Sequence, residues 1–143
     1  MIRYLDTSAL VKRYVPEQGT KQVRSLMRER EPLATSRLSW VESSAAFARR
    51  RREGSLSTTD DLRIREQIAR DFVALAIVEP APDVLDRAAT LCTVHPLRAV
   101  DAVHLSSALW LGAHVDPEVT FVTADRALAR IAGREGLQLL VPE

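Results

Sequence analysis

What limits the fold most is an alternation of short apolar runs with amphipathic stretches. Residues 2–5, 33–35, 76–78, 119–123 and 137–141 suit strands, being rich in Ile, Leu, Val and Phe and bounded by Asp, Pro or Gly. The stretches between them repeat apolar residues with the period of a helix. Strands joined through helices run parallel, and a parallel sheet needs both faces covered. The expectation is one α/β domain over residues 1–143, with a central, mainly parallel five-stranded sheet and helices on both faces.

Prolines, glycines and caps punctuate the helices. Thr7 and Ser8 can cap a short helix over residues 9–14, which stops before Pro16. A second opens at Thr20 with Val23, Leu26 and Met27 as its apolar stripe, and Pro32 ends it. Ser36 caps a third, which carries Trp40, Glu42, Ala45, Ala46 and Phe47 up to four arginines and closes at Gly54. Asp60 and Asp61 sit in the first turn of a fourth, whose apolar face is Ile64, Ile68, Phe72 and Leu75. Pro82 opens a fifth with Val84, Leu85, Ala88, Leu91 and Cys92 inward, so Cys92 reads as buried. Residues 98–111 are apolar around most of a helix, which places that helix in the core. The last begins at Ala124 or Asp125, turns Leu128, Ile131 and Ala132 inward, and is ended by Gly133 and Gly136.

Apolar residues at 46% and charged residues at 27% match an ordinary soluble globular protein. With Cys92 the single cysteine, an intrachain disulfide and a multi-cysteine metal site are both excluded. The start of the chain lacks the basic and apolar form of a signal peptide, and the apolar stretches are far short of a membrane span. A cytoplasmic protein with no membrane partner is expected. The net charge of +1 neither demands nor excludes a polyanion, so the local run Arg49, Arg50, Arg51, Arg52 carries more information.

Four carboxylates share one address. In a parallel sheet every strand exits at the same edge, where open α/β sheets place their ligands. Asp6 follows strand one and Asp125 follows strand four, so they meet if those strands are neighbours. Glu42 can lean over that edge from its helix. Asp101 lies in the first turns of an apolar helix, and burying an unpaired carboxylate there is costly. Clustered carboxylates repel one another unless a cation compensates. All-oxygen ligands suit Mg²⁺ or Mn²⁺ better than zinc.

The blocks Leu5-Asp6-Thr7-Ser8-Ala9-Leu10, Trp40-Val41-Glu42, residues 97–105 around Asp101, and Phe121-Val122-Thr123-Ala124-Asp125-Arg126 resemble, in order, the four signatures of PIN-domain ribonucleases. Length and spacing are similar to VapC-type toxins of bacterial toxin–antitoxin pairs. The resemblance covers essentially the whole chain. It implies acids at the C-terminal edge of the sheet, one or two Mg²⁺ or Mn²⁺ ions, and RNA hydrolysis. It also implies a homodimer and a small antitoxin that blocks the site. Asp6, Glu42, Asp101 and Asp125 each fall on an acidic family position. Asp6 and Asp101 are the first choice as metal ligands, Asp125 completes the cage or holds metal-bound water, and Glu42 ligates a second ion or orients the nucleophile.

Ser8 and Thr123 lie two residues from acids, where their hydroxyls can support carboxylates; helix capping and strand filling are their plainer roles. Arg49 to Arg52 serve either as a solvated helix end or as a phosphate track that Lys12 and Arg13 extend. His104, three residues after Asp101, can pair with that acid, although a satisfied core histidine fits its surroundings better. His95 and His114 sit beside chain breaks and carry no assigned chemistry. Trp40 reads as packing, and Trp110 as core or dimer contact. The competing functions are a PIN-fold nuclease of RNA processing without an antitoxin, a non-catalytic RNA- or protein-binding domain, and an aspartyl-phosphate phosphatase. The last normally requires a second acid where Ser8 stands.

Overall fold

The computed structural model describes residues 1–143. Its sheet contains β1 (Ile2–Leu5), β2 (Leu33–Ser36), β3 (Ala76–Val78), β4 (Val119–Val122) and β5 (Gln138–Leu140), in the order β3-β2-β1-β4-β5. Every pairing is parallel, so the sheet is wholly rather than mainly parallel. Strands one and four are neighbours, with Tyr4 opposite Phe121 and Leu5 opposite Val122. The chain builds outward from β1 to β3, then returns to the other side of β1 through β4. That reversal opens a crevice beyond the ends of β1 and β4.

The helices are α1 (Thr7–Leu10), α2 (Thr20–Leu26), α3 (Leu38–Arg52), α4 (Thr58–Ala74), α5 (Pro82–Val94), α6 (Ala99–His114) and α7 (Arg126–Arg134). Side chains alternate across each strand. Ile2, Tyr4 and Phe121 therefore join a core formed with α5, α6 and α7, whereas Leu5 and Val122 join one formed with α1 to α4. Residues 102–109 and Leu111 of α6 are all buried, as an apolar helix requires.

Three local expectations need correction. The first helix ends at Leu10 and tightens into a 3₁₀ turn, Val11–Arg13, which redirects Lys12 and Arg13. Thr123 lies just beyond β4 rather than within it. Cys92 is exposed, because the buried face of α5 consists of Val84, Ala88 and Leu91, each at a helical repeat, and Cys92 lies one step off it. Gly54 ends α3 as expected, at φ 81, with its N–H on Arg51 O and that of Ser55 on Arg50 O. No helix is long and apolar enough to cross a membrane.

Candidate active site

Asp6 stops β1 and caps α1 itself. Its Oδ1 accepts from Ala9 N at 3.0 Å and from Ser8 Oγ at 2.7 Å. The cap expected from Thr7 or Ser8 thus belongs to the carboxylate, and Ser8 supports it. Across the β1–β4 boundary, Thr123 Oγ1 donates to Asp6 Oδ2 at 2.6 Å. Asp6 is only 3% exposed, and burial pushes its carboxyl above the ordinary range despite these hydrogen bonds. Ala124 N donates to Ser8 Oγ and Asp125 N to Thr123 Oγ1, so the two hydroxyls lace the exits of both strands together.

Asp125 caps α7, its Oδ1 accepting from Ala127 N and Leu128 N. Asp101, in the first turn of α6, accepts from Arg98 Nε at 3.1 Å. Glu42, on α3, accepts at Oε1 from Thr7 Oγ1 at 2.6 Å and bonds His104 Nε2 at 2.7 Å. Partial burial raises the Glu42 carboxyl, but the His104 and Thr7 hydrogen bonds and the Arg98 charge outweigh it and hold the group below its ordinary range. His104 pairs with Glu42, not with Asp101; it is also the buried, satisfied histidine that its apolar helix implied.

All four acids line one cleft of about 350 Å³ at the C-terminal edge of the sheet, with Arg49 and Arg98 on its walls. In these rotamers no three His, Cys, Asp or Glu side chains converge closely enough to hold a metal. Each acid instead rests on a protein donor. The donor set itself, four carboxylates without sulfur, fits a hard divalent cation. The exposed Arg98–Asp101 pair is weak enough to yield to one. A smaller depression of about 140 Å³, which Trp40, Phe47 and Ile68 help to line, holds no acid.

The basic residues divide. Arg49 and Arg52 are exposed beside the Glu42 wall, and neither forms an ion pair. Arg50 is tied to Glu17 at 2.8 Å, and Arg51 reaches the buried Asp61 at 3.3 Å. Lys12 is buried with its Nζ on Gln18 O and Glu17 Oε1, and Arg13 clasps Asp71 at 2.7 Å; neither lines the cleft. The 3₁₀ turn explains why two cations so near Asp6 in sequence miss it in space. Trp40 packs edge-on against Phe72, and Trp110 Nε1 donates to Asp83.

Thr7 and Arg98 line the cleft without a role assigned there from the sequence, and His104 lines it as the partner of Glu42 rather than of Asp101. Arg98 was legible as a cation three residues before Asp101 at a helix start. The contacts of Thr7 and His104 with Glu42 are long-range and left no local sign.

The family model of the PIN domain matches residues 3–134. The chain belongs to the PIN domain family. It is 36% identical over 126 residues to Ribonuclease VapC45 of Mycobacterium tuberculosis, covering 87% of this chain and 85% of that one. Among solved structures, this PIN domain superposes on FitAcB from Neisseria gonorrhoeae with a TM-score of 0.71 at 18% identity, covering 99% and 98% of the two chains. VapBC2 from Rickettsia felis bound to a promoter DNA fragment gives 0.68 at 16% identity, over the full length of both chains. At such identities these two structures speak for the PIN fold.

Proposed function

We propose that this chain is a divalent-metal-dependent endoribonuclease and the toxin half of a toxin–antitoxin pair. The observation that carries the reading is the meeting of Asp6, Glu42, Asp101 and Asp125, from four separate elements, around one cleft walled by arginines. The relative named as a ribonuclease directs that chemistry towards RNA. The matched toxin–antitoxin complexes support a small antitoxin partner. The same family likeness supports a homodimer, and the sequence reading supports a cytoplasmic location.

Asp6, Asp101 and Asp125 would hold Mg²⁺ or Mn²⁺, with Glu42 on a second ion or on the attacking water. A bound divalent ion supplies a water of lowered pKa and neutralises charge on the phosphate. Thr123 and Ser8 hold the Asp6 carboxylate in one orientation, which fixes where its remaining lone pairs point. Arg49 and Arg52 meet the RNA backbone. Arg98 leaves Asp101 for a phosphate oxygen, exchanging one anionic partner for another. Arg50, Arg51, Lys12 and Arg13 act from beneath, through Glu17, Asp61 and Asp71.

The test is incubation of the purified chain with structured RNAs in Mg²⁺ or Mn²⁺, in chelator, and with Asp101→Asn. Cleavage that needs the ion and the acid supports the reading. Metal binding without cleavage would leave an RNA- or protein-binding domain in its place.

A further inference from the structure

We propose that His104 is a positioning residue that presents Glu42 to the cleft with one oxygen held and the other free, an inference that rests on the metal-dependent reading. Glu42 Oε1 takes both of the carboxylate's hydrogen bonds, from Thr7 and His104, while no protein donor reaches Oε2. A carboxylate offers about four lone-pair sites over its two oxygens. The contacts therefore use one oxygen and leave the other with its full capacity on the side of a cation or water.

The clamp is fixed from below. His104 is 2% exposed on α6, and its Nδ1 lies 2.7 Å from the hydroxyl of Tyr4, which is fully buried in β1. The Tyr4 ring meets His104 edge-on and stacks on Phe121, so neither ring can turn without opening the core. An ionised carboxylate only accepts, so the Nε2 proton belongs to the contact with Glu42. On the other side, Thr7 Oγ1 also lies 3.1 Å from Ser39 Oγ, which meets Thr35 Oγ1 at 2.7 Å, and Thr35 donates to Leu5 O. Glu42 is thus held between α6 and a chain of hydroxyls anchored on the central strand. A histidine that only filled space would need no carboxylate at Nε2.

The experiment is a double-mutant cycle on Mn²⁺ binding, measured calorimetrically on the full chain without RNA. The variants are Glu42→Gln, His104→Leu, His104→Gln and Glu42→Gln/His104→Leu, each checked for folding by circular dichroism. His104→Leu should weaken Mn²⁺ by about tenfold, the low end for residues that orient ligands. His104→Gln, which keeps a donor, should recover part of that loss. In the Glu42→Gln background His104→Leu should add little, because it acts through Glu42. Unchanged affinity in both His104 variants, or fully additive losses, would overturn the proposal. Should His104→Leu not fold, His104→Gln against Glu42→Gln/His104→Gln decides in the same way. A ¹⁵N spectrum supplies the second reading, in which the His104 Nε2–H signal of the wild type should move in Glu42→Gln. If the wild type takes up no Mn²⁺, the metal-dependent reading falls, and that signal alone decides the contact: indifference to Glu42→Gln overturns it.

Discussion

Thr123 and Asp6, separated by 117 positions, share a 2.6 Å hydrogen bond that closes the switch point of the sheet. Thr123 is fully buried, and its single proton is committed to Asp6 Oδ2. Replacing Thr123 with Val keeps the shape and removes the donor. A hydrogen bond to a charged group contributes about 1.5–3 kcal/mol, so urea unfolding in chelator should show a loss near 2 kcal/mol. Ser8→Ala should cost less, because Ala9 N still serves Asp6 Oδ1. Wild-type stability in Thr123→Val would reduce Thr123 to a space-filling residue.

Asp6→Asn should separate stability from activity. Burial raises the native Asp6 carboxyl above its unfolded value, so ionisation is disfavoured in the fold. The native form then binds its proton more readily, and the cost to stability is present above the native pKa. It fades as pH falls through that value towards the unfolded one. Without metal, Asp6→Asn should therefore unfold at higher temperature than wild type at neutral pH, with the difference closing in acid. Cleavage should drop by at least about a hundredfold, since metal-ion catalysis contributes several kcal/mol. Wild-type cleavage rates in the Asn variant would remove Asp6 from the site.

The order of the elements was legible because Pro16, Pro32, Gly54, Pro82 and Gly136 interrupt the periodic stretches at the places where the chain turns. The address of Asp6 and Asp125 followed from the single exit edge of a parallel sheet. Asp101 could not be placed in that way, because α6 follows another helix, α5, rather than a strand. Helical spacing offered His104 only Asp101 as a partner beside the preferred reading of a satisfied core histidine, whereas its partner Glu42 lies 62 positions away on another helix. Lys12 and Arg13 differ for the opposite reason: they are near Asp6 in sequence, yet after one tight turn they pair with Glu17 and Asp71 and do not line the cleft.

The division of the basic residues predicts a matching division of effects. Each phosphate contact to single-stranded RNA contributes about 0.7 to the slope of log affinity against log salt. Arg49→Gln/Arg52→Gln should lower that slope by about 1.4 in filter binding to an uncleaved RNA. Arg50→Gln should change it little, since that guanidinium is engaged with Glu17. Lys12→Gln should lower the melting temperature instead, because its buried ammonium satisfies Gln18 O and Glu17. Equal slopes for all three variants would make the arginine run a solvated helix end.

The same cluster of acids defines how a partner can silence the chain. Arg98 shows the chemistry on a small scale, its guanidinium resting on Asp101 and its charge reaching Asp125 and Glu42. A flexible cationic segment from another protein would satisfy the same carboxylates, and an arginine can bridge one through two hydrogen bonds. It would compete with Mg²⁺ for their oxygens and cover the place of the scissile phosphate. A short adjacent reading frame should therefore encode a protein that co-purifies with this chain and suppresses its cleavage of RNA. Neutralising one basic residue near that protein's end should restore part of the cleavage while the complex survives on its remaining contacts. Raising Mg²⁺ should relieve the inhibition in the wild-type complex, because ion and side chain share one set of ligands. Absence of any co-purifying small protein, together with normal growth when this chain is induced alone, would favour a nuclease of RNA processing that works without an antitoxin.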